Sequence, residues 1–76
     1  MTIKVNSGAL EHLAKFGPNL QTIRVQKGLS REAFAERIDV SSRIIYDYEN
    51  GLKYPTLSRA TLIADVLGVT LDSLLR

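Results

Sequence analysis

Residues 29–51 read LSREAFAERIDVSSRIIYDYENG, and this stretch decides the fold. It describes two short helices joined by a tight turn. Ser30 sits where a side-chain oxygen can accept from the first free backbone N–H groups of a helix over residues 31–38. Phe34, Ala35 and Ile38 fall on one face of that helix and form its buried side. Asp39-Val40 then makes the turn, because aspartate tolerates a left-handed backbone better than most side chains. Ser41 caps a second helix over residues 42–50, and Asn50-Gly51 closes it.

The second helix separates into two faces when stepped at roughly 100° per residue. With Ile45 facing the core, Tyr48 and Glu49 fall close beside it. Arg43, Asp47 and Asn50 fall opposite, Tyr46 lies nearby, and Ser42 and Ile44 sit on the flanks. The outward set suits the edges of DNA bases in a major groove. Arg43 offers a two-pronged donor to guanine O6 and N7, Asp47 an acceptor for cytosine N4, and Ile44 an apolar contact for a thymine methyl. Ser42 and Tyr46 complete the expected base-reading set. The competing reading is a solvated face carrying an Arg43–Asp47 pair, which contributes only a few tenths of a kcal/mol.

Phosphate contacts are expected around this helix. Ser41 lies at its start and Asn50 at its end, and Lys53 follows in the loop, with Tyr54 either beside it or packed on Pro55. Arg31, next to the Ser30 cap, combines a guanidinium with free helix amides, a combination suited to a phosphate. Lys27 adds attraction or simply complements a helix end. Glu49 faces inward and needs a partner, and the best available is the guanidinium of Arg24 on the preceding helix. Arg24 and Glu49 are therefore expected to form a structural ion pair.

The rest of the chain supports an all-α domain. There are 76 residues, 45% of them hydrophobic, enough for one small core. The formal net charge of +2 permits a nucleic-acid partner without demanding one. With no cysteine and one histidine, His12, neither a disulfide nor a zinc site of the usual kind is available, and no cofactor is expected. No nucleophile–base pair or phosphate loop points to an enzyme. No apolar run approaches the ~20 residues of a membrane span, and residues 1–8 lack a signal-peptide core. A cytoplasmic, nucleoid-associated protein follows.

Before the central unit, residues 2–5 alternate weakly, as a short strand or an arm. A helix is expected over residues 8–16, with Leu10, Leu13 and Ala14 on one face and Gly17 as its stop. Pro18 would start the next helix, over residues 18–27, with Leu20, Ile23 and Val25 apolar. After the central unit, Gly51 to Pro55 is a loop, and Thr56 or Ser58 opens a helix in which Leu57, Ala60, Ile63, Ala64 and Leu67 follow the helical period. Gly68 closes that helix, and Thr70 caps a last turn or two over residues 71–75. Five or six short helices result.

The chain resembles the Cro/lambda-repressor-type helix-turn-helix family, also called the XRE family. The match is carried by Leu20, Arg24, Gly28-Leu29-Ser30, Glu32, Ala35 and Val40-Ser41. It continues through Ile45, Tyr48-Glu49-Asn50-Gly51, Pro55, Leu67-Gly68-Val69 and Leu74-Leu75. It covers about residues 17–75 and leaves residues 1–16 as an arm, a packing helix or a dimer element. The resemblance implies a five-helix domain that binds operator DNA as a homodimer. It implies base reading by Ser42, Arg43 and Asp47, a phosphate or base contact from Arg31, and a structural Arg24–Glu49 pair. Arg31 stands where the family often has glutamine, and Asp39 where glycine is common.

The expected function is a transcriptional regulator, most simply a repressor from a phage, plasmid or other mobile element. The alternative is a protein-interaction module on the same fold, such as an antitoxin or anti-repressor. Its contact surface would be an apolar patch of Leu62, Val66, Leu71 and Leu75, which otherwise serves homodimerisation or the core. With the sequence ending at Arg76, control is expected through concentration, a regulatory protein partner or proteolysis.

Overall fold

The computed structural model describes residues 7–76, with side chains from residue 13 onward. Five helices follow in order: α1 (Ser7–Gln26), α2 (Arg31–Arg37), α3 (Ser42–Glu49), α4 (Leu57–Leu67) and α5 (Leu71–Leu75). No strand occurs among the described residues. The strand or arm expected at residues 2–5 and the side chains of Leu10 and His12 lie outside them.

Each of the last four helices starts on a hydroxyl. Ser30, Ser41, Thr56 and Thr70 accept from the amides of Ala33, Ile44, Arg59 and Ser73. The first four helices end on a left-handed residue, at Gly28, Asp39, Gly51 and Gly68. After α2 the chain closes the same way as after α4. Val40 N–H reaches back to Ala35 O at 3.0 Å, and Val69 N–H to Ala64 O at 3.0 Å. Asp39 does this at φ 58° with a side chain in place. Asp39→Gly removes the steric cost of that conformation and adds back some chain entropy. The net expectation is a gain of about 0.5 kcal/mol, seen as a higher urea midpoint.

The core takes a fully buried side chain from every helix: Leu20, Phe34, Ile45, Ile63 and Leu74. Each such burial contributes roughly 1.5–3 kcal/mol against exposure. Phe16 and Tyr48 add an edge-to-face pair with centroids 6.5 Å apart. Asn19 Nδ2 donates to Leu74 O at 3.0 Å and fastens α5 to α1.

Three expectations from the sequence do not hold in the fold. Helix α1 does not stop at Gly17; it runs unbroken through Gly17 and Pro18. Proline has no N–H for the carbonyl of Ala14, but Ala14 is exposed, so that oxygen can turn to water. Gly17 is present for contact, not termination. A Cβ placed on it would lie 2.5 Å from Glu49 O and 2.7 Å from Tyr48 O, so only glycine lets α1 meet the end of α3 this closely. Second, the inner face of this stretch of α1 is not Leu13 and Ala14, which are exposed; Phe16 takes that role. Third, Val25 and Leu57 are 60% and 73% exposed despite their helical spacing.

Candidate nucleic-acid interface

Helix α3 is fixed from behind by one buried carboxylate. Glu49 is 1% exposed at its side chain. Its Oε2 accepts from Arg24 Nε at 2.5 Å and its Oε1 from Arg24 Nη2 at 3.2 Å. Oε1 also accepts from Arg31 Nε at 2.9 Å. Arg24 Nη1 donates onward to Leu29 O at 2.7 Å. The arrangement is thus a triad, Arg24–Glu49–Arg31, joining α1, α2 and α3. The sequence suggested the first contact; the second ties Arg31, only 34% exposed, to the protein itself.

The outward side of α3 carries Arg43 and Tyr46, both exposed, with Ser42 half-buried at the edge. The guanidinium carbons of Arg31 and Arg43 lie 5.3 and 5.1 Å from the Tyr46 ring centroid. One aromatic ring therefore sets the position of two cations. Ser41 is exposed, but its Oγ is engaged as the helix cap at 3.3 Å from Ile44 N. Asn50 Nδ2 donates to Tyr46 O at 2.9 Å at the exposed end of the helix.

Asp47 departs from the helical-wheel expectation of a presented residue. Its side chain is 7% exposed. Oδ1 accepts from Arg43 Nε at 3.1 Å and Oδ2 lies 3.7 Å from Lys53 Nζ, so two cationic side chains cover it. Its backbone carbonyl accepts from Leu52 and Lys53 at 2.8 and 3.3 Å. A wheel drawn on an isolated helix has no loop on it, and here the loop after α3 folds back over position 47. Arg43 and Lys53 remain 73% and 60% exposed at their side chains.

Two covered carboxylates thus hold four cations around α3: Glu49 takes Arg24 and Arg31 behind the helix, and Asp47 takes Arg43 and Lys53 on its outer side. The acids are covered while Arg43 and Lys53 point out. Such a surface attracts a polyanion and offers guanidinium donors to base edges.

Away from this surface an apolar groove of about 260 Å³ opens between Leu13 and Phe16 of α1, Tyr54 and Leu57, and Leu71 and Leu75 of α5. Tyr54 and Pro55 both line it. Of the apolar patch expected from the sequence, Leu71 and Leu75 contribute, Val66 packs on the core, and Leu62 stands 42% exposed outside the groove.

Two helices joined by a left-handed turn, the second seated on α1 with a cationic outer face, match a known family model. Residues 20–74 fit the helix-turn-helix model HTH_3. The chain belongs to this helix-turn-helix family. Among its relatives is the HTH-type transcriptional activator BcrR of Enterococcus faecalis, 36% identical over 61 residues, covering 80% of this chain and 30% of BcrR. The SPbeta prophage-derived HTH-type regulator YonR of Bacillus subtilis is 33% identical over 61 residues, 80% of this chain and 56% of its own length. The chain therefore spans only a portion of these relatives. The crystal structure of the DNA-binding domain of BldD superposes with a TM-score of 0.75 at 31% identity, over 87% of this chain and 96% of that domain. The five-helix helix-turn-helix reading and the resemblance to the Cro/lambda-repressor type hold.

Proposed function

We propose that this protein is a sequence-specific DNA-binding domain of a transcriptional regulator, with α3 lying in the major groove. The observation that carries the reading is the outer face of α3. Arg43, Tyr46 and Lys53 stand exposed over a covered Asp47, while Ile45, Tyr48 and Glu49 anchor the same helix from behind. Ser42, Arg43 and Tyr46 are the base-facing candidates. Ser41, Asn50, Lys53 and, through the guanidinium nitrogens that Glu49 does not take, Arg31 would serve the sugar–phosphate chain. A homodimer would set two such helices about 34 Å apart over an inverted repeat. Occupancy of that operator would then exclude polymerase, giving repression. The prophage origin in the name of YonR supports a mobile-element setting. The name of BcrR, an activator, supports a second reading in which the same contacts recruit polymerase.

Selection from random duplex DNA tests the core of this. A defined motif is expected, and Arg43→Ala should cost about 1–3 kcal/mol on it and flatten preference at one base pair. Binding by the wild-type domain that enriches no motif would remove the sequence-specific reading. Light scattering on the bound complex tests the dimer, since one copy on a non-palindromic site contradicts it. A reporter fused downstream of the selected site separates repression from activation.

A further inference from the structure

Asp47 is an acid on a surface proposed to meet DNA, and the DNA-binding reading alone does not explain it. An exposed carboxylate there would either read cytosine or repel phosphate. The structure shows neither arrangement. The carboxylate is covered, and each of its oxygens faces a different cation, Arg43 from the same helix and Lys53 from the loop. Arg43 uses only its Nε for this contact; among the described residues its two Nη atoms have no hydrogen-bond partner. Those two atoms are the prongs that a guanine edge requires. The Tyr46 ring, 5.1 Å from the guanidinium carbon, restricts the same group a second time.

We propose that Asp47 is a positioning residue that aims Arg43 and tethers Lys53, and does not itself read a base. The inference rests on the DNA-binding reading of α3. Two effects follow from one carboxylate. It fixes Arg43 with its fork outward, so less side-chain freedom is lost on binding. It also neutralises one of the two cations it holds, which lowers attraction to phosphates of any sequence. Both effects raise the ratio of specific to non-specific affinity. Glu49 has a parallel role on the inward side of the helix, where it holds Arg31 beside the same ring.

The test is Asp47→Asn, which keeps the side-chain volume, compared with Arg43→Ala and the double variant on selected and random duplexes. Asp47→Asn is expected to tighten binding to random duplex and to steepen its salt dependence by about one phosphate equivalent. The specific-to-random ratio is expected to fall at least ~10-fold, with preference lost at the same base pair that Arg43→Ala flattens. In the double variant, preference should fall no further than in Arg43→Ala alone. If Asp47→Asn instead alters preference at a different base pair, additively with Arg43→Ala, Asp47 reads that base and the proposal fails. If wild type enriches no site, the underlying DNA reading fails, separately from this one. The wild-type protein supplies a readout that does not depend on a variant folding. In the absence of DNA, the Arg43 Hε proton should give a distinct, slowly exchanging NMR signal. A signal averaged with that of exposed Arg37 would overturn the proposal.

Discussion

Replacing Glu49 by alanine is expected to lower stability by about 3–5 kcal/mol, the usual cost of breaking a buried ion pair from one side. For a chain of 76 residues the whole stability is roughly 4–11 kcal/mol, so the variant loses a large fraction of it. The reason is what remains behind. Arg24 is 7% exposed and keeps its charge whatever happens to its partner. Without Glu49 it retains one contact, from Nη1 to Leu29 O. Arg31 can swing to water, being one third exposed, but Arg24 cannot without dragging α1 from α3. Urea denaturation at neutral pH measures the loss, and a change below about 1 kcal/mol would show that water reaches Arg24 in the variant. The cause is separable from the value of the pair itself. The combined change Arg24→Met with Glu49→Leu leaves no charge buried and should recover most of the stability. Arg31 would then lose its tether, so that variant should fold well and still bind selected DNA more weakly.

Gly17→Ala is expected to destabilise by about 2–3 kcal/mol, although helix propensity alone predicts a gain of about 1 kcal/mol from the same change. Local and tertiary effects therefore differ in sign, and the measured sign decides between them. The new methyl group would meet two backbone oxygens at the C-terminal end of α3, at 2.5 and 2.7 Å. Backbone cannot rotate away as a side chain can, so the two helices must separate. Phe16, beside Gly17, would lose some of its contact with Tyr48. Because α3 carries Arg43 and Tyr46, the shift should reach the outer surface. Specific DNA binding is expected to weaken more than random-duplex binding, which a titration on both duplexes resolves. A stabilised Gly17→Ala protein would mean that the contact between α1 and α3 is looser than the structure shows.

Much of this is legible in the residues. The hydroxyl caps at Ser30, Ser41 and Thr70, the α4 cap narrowed to Thr56 or Ser58, the closures at Gly28, Gly51 and Gly68, and the left-handed Asp39 are local events. They depend on a residue and its neighbours within a turn, and so survive translation from sequence to structure. The inward set of α3 is readable for a related reason, since an eight-residue helix with Ile45 buried has little freedom in its orientation. The Arg24–Glu49 contact follows from chemistry, because a buried acid needs a cation and few are placed to supply one.

What is not legible depends on distant segments. Gly17 and Pro18 carry strong local signals for a helix end, and those signals are overridden by packing of α1 on a helix more than twenty residues away. Leu57 keeps the helical period yet stays exposed, at the edge of the open groove between α1 and α5. Asp47 lies opposite Ile45 on any wheel, and only the folded loop brings Lys53 over it. In the sequence Arg31 reads as free for phosphate, and only the crossing of α2 and α3 places it on Glu49.

The number of central helices, their starts and stops, the turn between α2 and α3 and the core-facing side of α3 are all written in local residue patterns. These rest on hydrogen bonds and steric preferences that act within a few residues. Packing between distant segments makes α1 one helix, gives Glu49 two arginines, and covers Asp47 with Arg43 and Lys53. Those outcomes rest on burial, and whether a charge or a carbonyl is buried is settled only when the segments that cover it arrive.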